Sequence, residues 1–245
     1  MMLIVLAKSR KKTQMREYIK ESSKKVTKDK YFLHNKPVVI VHPFVKDINL
    51  GNVIKNVEYA VPKGLLTNID GFYIGDFKVF SDEGGNFNAL YSDGVVYVTN
   101  KQDNEEDLVD DIVHEVAHSI EKQYDDVIYG DARLESEFLS KRMTLYHLLD
   151  EPPEKMMYYL NPEYDKNFDE YLYKFVGYST LRNITAGLFY SPYAATSLRE
   201  YWANGFENYL LKDSGKLKEL SPVLYSKIER IYNDAEEKAN EYENY

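Results

Sequence analysis

The chain has 245 residues, of which 44% are hydrophobic and 29% charged, and its net charge is −9. This composition is typical of a globular protein that is long enough to bury a sizeable core. There is no cysteine, which excludes disulfides, thiolate chemistry and cysteine-bound zinc, so any metal must be held by His, Asp or Glu.

The first 30 residues form a basic arm, with ten Lys/Arg against three acidic residues, a local charge of +7. Residues 9–29 are predicted to form a charged helix followed by a polar stretch, and a solvated helical face is favoured over nucleic-acid binding. An apolar run at residues 1–7 precedes the basic cluster, which reverses the order found in secretory signals. No apolar run reaches the roughly 20 residues of a membrane span.

These features predict a soluble protein without a signal peptide and without a membrane partner. The expected location is the cytoplasm of the producing cell or of a phage-infected cell, or a virion. A bacteriophage origin is compatible with such a chain.

Residues 36–99 are predicted to form a small sheet. Residues 36–41 are a β-branched run that includes a proline, and residues 71–77 have the pattern of a second short strand. Residues 88–91 and 95–99 flank an Asp-Gly pair that favours a tight hairpin. The stretch between the first two strands carries Gly, Pro and Asn at short intervals and is predicted to be rich in turns.

After Asn100 the pattern changes to that of helices. Asn104 and the acidic residues behind it supply an N-cap and a negative first turn. Apolar residues then recur from Leu108 to Ile120 at helical spacing, which predicts a buried helix of about four turns. Further helices are predicted at about 131–149, 163–176, 194–212 and 221–243. Strands followed by helices indicate an α+β fold, with a small N-terminal twisted sheet and a mostly helical C-terminal half.

The predicted helix carries His114-Glu115-Val116-Ala117-His118. Because His114 and His118 are four residues apart, both imidazoles leave the same face and can share one zinc ion at about 2.0–2.1 Å. Glu115 lies about 100° further round the helix, where it can reach a metal-bound water without being a ligand. This is the geometry of the H-E-x-x-H motif, and it predicts a catalytic zinc site with Glu115 as its base.

A catalytic zinc ion needs a third protein ligand and one open position. The spacing leaves three candidates open: Glu135, Glu137 and Glu200. Glu121 shares the face of His118 but lies too near along the same helix to complete a tetrahedron. We therefore expect Glu121 to support a ligand imidazole from outside the ligand set.

A second motif lies at residues 200–206, E-Y-W-A-N-G-F, and Tyr193 stands seven residues before Glu200. Together with H-E-x-x-H, this motif resembles the catalytic domain of anthrax lethal factor and its relatives, including the clostridial Pro-Pro endopeptidases. In that family the third ligand is a glutamate in an E-[FY]-[FW]-A-x-x-F stretch, and a tyrosine seven residues earlier points into the site. The resemblance covers about residues 70–125 and 185–212.

The resemblance implies a zincin-like metallopeptidase that cleaves a protein or peptide substrate. It implies one zinc ion held by His114, His118 and Glu200. In the expected mechanism Glu115 is the general base and the hydroxyl of Tyr193 stabilises the oxyanion. The strand at residues 95–99 is expected to be the sheet edge that receives an extended peptide.

The chain departs from the family pattern in two ways. His118 and Glu200 are 82 residues apart, longer than is typical of the family, which indicates a helical insertion at about 131–176 within a single domain of residues 31–245. The acidic residue that is common four positions after the ligand glutamate is here Asn204. Its amide can accept a hydrogen bond from a ligand imidazole but lacks the charge that raises the basicity of the ring.

Two other functions use the same residues. In the first, zinc only stabilises a binding protein or a virion component, although such a site has no need of Glu115 or Tyr193. In the second, a zinc amidohydrolase acts on an amide other than a peptide bond, and the sequence does not separate it from a peptidase.

Overall fold

The fold combines one five-stranded sheet with a larger set of helices. It is taken from a computed structural model that describes residues 31–82 and 87–243. The mixed α/β content agrees with the predicted α+β class at this coarse level. The charged helix predicted at residues 9–29 lies outside the described residues.

The sheet is built from strands that lie on both sides of a helical crossover. The strands are β1 (Tyr31–Leu33), β2 (Lys36–Ile40), β3 (Gly71–Ile74), β4 (Ala89–Ser92) and β5 (Val95–Val98). Their order is β1-β2-β3-β5-β4, with β2, β3 and β5 parallel and the two outer strands antiparallel. The strand predicted at residues 71–77 is present but ends at Ile74, and β1 was not predicted.

The β4–β5 hairpin turns at Asp93 and Gly94, as the Asp-Gly pair predicts. Their φ values are 51° and 84°, the positive angles that a type I′ hairpin turn requires. Because β5 also pairs with β3, it lies inside the sheet. The expectation that residues 95–99 form the sheet edge is therefore wrong, and the edge on this side is β4.

A helix, α1 (Leu50–Ala60), stands between β2 and β3, where only turns were predicted. Asn49 caps it by accepting a hydrogen bond from the backbone of Asn52. Buried apolar residues recur along one face, at Leu50, Val53, Ile54 and Val57. The prediction failed because parallel strands require a crossover, and burial of this face outweighs the low helix propensity of Gly51.

Helices make up most of the remaining chain. In order they are α2 (Val79–Asp82), α3 (Glu105–Ile120), α4 (Asp125–Ile128), α5 (Arg133–Leu148), α6 (Met156–Tyr159), α7 (Lys166–Tyr171), α8 (Tyr178–Thr185), α9 (Leu198–Leu211), α10 (Ser214–Leu220) and α11 (Pro222–Glu243). Shorter turns are the 3-10 helices Lys63–Leu66, Pro153–Lys155 and Tyr193–Ala195, and the π-helix Leu172–Val176. Across the described ranges, no helix is long and apolar enough to cross a membrane.

One buried cluster runs through the fold from Leu33 in β1 to Ala235 in α11. Helix α3 contributes a full apolar face to it, as its periodicity predicts. Helix α9 packs on α3, and its Trp202 has no exposed surface and donates from Nε1 to the backbone oxygen of Ala117 at 3.2 Å. This contact holds the N-terminal half of α9 against the last turn of α3.

Candidate metal centre

Three side chains from α3 and α9 converge at one point. His114 and His118 lie one turn apart on α3, with ring centroids 5.1 Å apart. Glu200, in the first turn of α9, places its Oε2 3.0 Å from His114 Nε2 and 3.7 Å from His118 Nε2. One potential metal-ligand atom from each of these three residues lies within 4.8 Å of the other two, and the three residues are called the donor group below. No other set of His, Asp or Glu side chains in the part of the chain that the structure describes meets this criterion.

This donor set fits a divalent cation in both spacing and chemistry. With bonds of about 2.0–2.2 Å, the ligand atoms of a tetrahedral zinc site lie about 3.3–3.6 Å apart. The two separations of 3.0 and 3.7 Å lie on either side of that range. Two nitrogen ligands and one carboxylate would leave a fourth position open, as catalytic zinc sites do.

Each imidazole also faces a carboxylate on its outer side. Nδ1 of His114 lies 3.5 Å from Glu207 Oε2, and Nδ1 of His118 lies 2.5 Å from Glu121 Oε1. Contacts of this kind orient the ring and raise its basicity, leaving Nε2 for the metal. Glu121 thus takes the supporting position that its spacing suggested.

Asn204 does not take the supporting position expected of it. Its Oδ1 is buried and has no hydrogen-bond partner among the described side chains and backbone, so it does not accept from either imidazole. Glu207 faces His114 instead, seven residues after Glu200 and therefore two turns further along the same face of α9. The sequence prediction missed Glu207 because it considered only the position four residues after Glu200. An acidic residue seven positions after Glu200 lies on the same helix face, and this spacing could have identified it.

The first turn of α9 is held in place from two directions. Ser197 is the N-cap and accepts a hydrogen bond from the backbone of Glu200 at 3.2 Å. Arg199 donates to both oxygens of Glu121, from Nε at 2.7 Å and from Nη2 at 3.3 Å. Such a paired contact has a defined geometry, so Glu200 is presented to α3 from a fixed backbone.

The alternative third ligands, Glu135 and Glu137, do not join the donor group. Both oxygens of Glu137 are occupied at the start of α11, where they accept from the backbone of Val223 at 2.9 Å and of Leu224 at 3.1 Å. The same carboxylate accepts from the hydroxyl of Tyr201 at 2.9 Å. Glu137 therefore caps a helix, whose first amide groups need such an acceptor.

Glu115 lies beside the two histidines and is only 6% exposed. Its Oε2 accepts a hydrogen bond of 2.5 Å from the backbone of Tyr91 in β4. Burial raises the pKa of Glu115, and the charge of Glu200 adds to this, while both histidines and the Tyr91 amide act in the opposite direction. The net pKa is raised, as suits a carboxylate that takes up and releases a proton.

Tyr193 also borders the donor group, from the 3-10 turn before α9. Its ring centroid lies 6.4 Å from that of His114. Burial raises the pKa of Tyr193, and the carboxylates of Glu200 and Asp169 raise it further. The phenol therefore stays protonated at neutral pH and can donate a hydrogen bond.

The carboxylates make the centre strongly attractive to a cation. Burial lowers the pKa of His114 and of His118, but hydrogen bonds and charges from the carboxylates outweigh it and raise these values to about 10 and about 9. Burial raises the pKa of Glu200, yet the two imidazoles hold it well below its usual range. In the absence of a metal, protons on the imidazoles balance the carboxylates, and a bound cation would displace them.

Comparisons with protein-family models, with curated proteins and with solved structures each gave no match to this chain. The function is therefore inferred from the residues and their geometry.

A cleft of about 440 Å³ opens beside His118. It is lined by Tyr91, His118, Glu121, Lys122, Asp125 and Arg199. Its walls include residues of β4, of α3 and of the first turn of α9. The volume lies within the range of about 300–1,000 Å³ that ligand sites occupy.

Proposed function

We propose that this chain is a zinc-dependent metallopeptidase with a zincin-like fold, which hydrolyses a peptide bond with one zinc ion. The observation that carries the proposal is the convergence of His114, His118 and Glu200, from two helices far apart in the sequence, with Glu115 buried beside them. The resemblance of the two motifs to lethal factor-like peptidases supports the same assignment.

Each residue has a defined part in the proposed reaction. When bound, zinc lowers the pKa of a water molecule towards about 7 and polarises the substrate carbonyl. Glu115 accepts the proton of the attacking water and then delivers it to the leaving nitrogen as the C–N bond breaks. The hydroxyl of Tyr193 donates a hydrogen bond to the carbonyl oxygen as that oxygen gains negative charge.

An extended peptide is the substrate that this site suits best. The backbone N–H of Tyr91 points away from β5 towards Glu115. Strand β4 therefore has an outward-facing hydrogen-bond donor beside the three proposed metal ligands. A peptide that pairs with β4 would lie across that group by β-augmentation. It would also take over the Tyr91 N–H and release the carboxylate of Glu115 for proton transfer.

Two observations favour a peptidase over the alternatives. A purely structural zinc site is closed by four protein ligands, whereas this donor group offers three beside a cleft. A hydrolase of small amides has no need of an edge strand beside its metal, whereas β4 supplies one.

The direct test uses the full chain loaded with one equivalent of zinc and a mixed peptide library. We expect new peptide termini, detected by mass spectrometry, because the loaded site can activate water. Removal of zinc with a chelator should stop the cleavage, and one equivalent of zinc should restore it. No cleavage by the loaded protein, or equal cleavage by the metal-free protein, would show the proposal to be wrong.

Tyr193→Phe tests the proposed oxyanion contact. We expect kcat to fall about 10²–10³-fold while KM and zinc content stay unchanged, because only a hydrogen bond to the developing charge is lost. Tyr190→Phe is a matched control, since the Tyr190 hydroxyl contacts the backbone oxygen of Asp213 at 3.3 Å, and its kcat should stay within about twofold. Equal effects of the two changes would mean that Tyr193 only packs against His114.

A further inference from the structure

Tyrosine side chains gather around Asp169 in the region from α7 to α8. The hydroxyl of Tyr164 donates to Asp169 Oδ2 at 2.9 Å. The rings of Tyr173 and Tyr178 lie 5.1 Å apart and are tilted by 55°. Tyr164, Tyr173 and Tyr178 are 51%, 49% and 41% exposed. These four residues, Tyr164, Asp169, Tyr173 and Tyr178, are called the tyrosine cluster below.

The local backbone brings the cluster together. Asp165 caps α7 by accepting hydrogen bonds from the backbone of Asn167 at 2.8 Å and of Phe168 at 3.1 Å, which places Asp169 in the first turn of the helix. The π-helix Leu172–Val176 follows, and Gly177 then adopts φ 81°. Glycine favours this angle, and the resulting turn returns Tyr178 to Tyr173.

The cluster borders the proposed active site. The backbone N–H of Leu198, the first residue of α9, donates to the oxygen of Pro162 at 2.8 Å, so the chain just before Tyr164 lies against the turn that carries Glu200. Asp169 is also close enough to Tyr193 to act on it electrostatically. After burial and the charge of Glu200, the charge of Asp169 raises the pKa of Tyr193.

The cluster is suited to a cation. Burial raises the pKa of Asp169, the hydrogen bond from Tyr164 lowers it, and the negative charges of Glu200 and Glu170 raise it. Lys174 is paired with Glu170 at 3.1 Å. Exposed tyrosine faces attract ammonium and guanidinium groups, and a carboxylate beside such faces adds a direct ionic partner.

We propose that the tyrosine cluster binds a lysine or arginine side chain of the substrate, close to the bond that is cut. The cationic group would approach Asp169 and lie against the rings of Tyr173 and Tyr178. This inference rests on the proposed peptidase function, and it assigns that peptidase a basic substrate. The cluster belongs to the segment that lies between the two motifs and outside the family resemblance.

The test measures binding without cleavage. The zinc-loaded Glu115→Gln protein is titrated calorimetrically with acetylated alanine hexapeptide amides that carry one lysine at successive positions. Peptides with norleucine at the same position have a similar length and no charge. We expect lysine to bind about tenfold more tightly than norleucine at one position only.

Variants of the cluster locate the effect. In Asp169→Asn we expect the lysine preference to fall to about twofold or less, because the ionic partner is lost while an oxygen remains for Tyr164. Tyr178→Leu, at an exposed ring, should reduce the preference about threefold. Glu163→Gln is the matched control, since it removes the same charge from an exposed side chain nearby and should leave the preference unchanged.

The outcomes separate this inference from the peptidase proposal. A lysine preference that survives both Asp169→Asn and Tyr178→Leu, or no preference in the parent protein, overturns the inference. Thermal melting of each variant identifies a loss of folding, and Tyr178→Leu decides the matter if Asp169→Asn does not fold. If peptides are cleaved but lysine is not preferred, only the proposed role of the tyrosine cluster is contradicted. If lysine peptides bind but the unmutated chain does not cleave them, only the proposed peptidase activity is contradicted.

Discussion

Replacing Glu115 with glutamine is expected to lower kcat about 10³-fold while one zinc ion stays bound. The amide cannot accept a proton from water, so the general-base contribution is lost. Zinc should remain because Glu115 is outside the donor group of His114, His118 and Glu200. The measurements are kcat on a cleaved peptide and the zinc content of the purified protein by elemental analysis.

Glu106→Gln provides the control for this change. Glu106 is an exposed glutamate in the first turn of the same helix, and its replacement should leave kcat within about twofold. The Tyr91 amide keeps an acceptor in Glu115→Gln, since the glutamine side chain retains one oxygen. Loss of zinc, or kcat above about a tenth of the original value, would contradict the role assigned to Glu115.

Replacing Glu200 with alanine should weaken zinc binding more than about 100-fold. Removing an outer partner of a ligand costs about 10–100-fold in affinity, and removing a ligand is expected to exceed that range. The remaining histidines share α3 and leave two positions open. Competition with a chromophoric chelator gives the affinity directly.

Glu137→Ala is the informative comparison because Glu137 was an alternative third ligand. It should keep zinc affinity unchanged and lower the free energy of unfolding by about 1–3 kcal/mol, because the amides of Val223 and Leu224 lose their acceptor. Urea unfolding measures this change. If Glu137→Ala lost zinc and Glu200→Ala kept it, the third ligand would be on α5 rather than α9.

Local periodicity accounts for what was predictable from the sequence. The cap at Asn104, the apolar face of α3 and the placement of both histidines on one side follow from spacings of three and four residues within one helix. The β4–β5 hairpin followed from the Asp-Gly pair for a similar reason, since two adjacent residues determine the turn.

Non-local pairing accounts for most of what was missed. Burial against the core, rather than propensity, makes α1 a helix. The edge position of β4 follows from the pairing of β5 with β3, and no pattern within β5 reveals its neighbours. Tyrosine enrichment was visible in the composition, with 23 residues of this type, but the cluster around Asp169 depends on the π-helix and on Gly177.

The H-E-x-x-H motif could therefore be predicted from the sequence, because His114, Glu115 and His118 lie within five residues of one helix. Spacing alone left Glu135, Glu137 and Glu200 equivalent as third ligands, and the second motif favoured Glu200. Only the tertiary structure brought Glu200 to the histidines and turned Glu137 to a helix end, because the packing of Trp202 against α3 sets which face of α9 meets the motif. The same packing places Glu207, rather than the predicted Asn204, beside His114. The candidate ligands are defined by the distances between side chains of α3 and α9, and the packing of these two helices sets those distances.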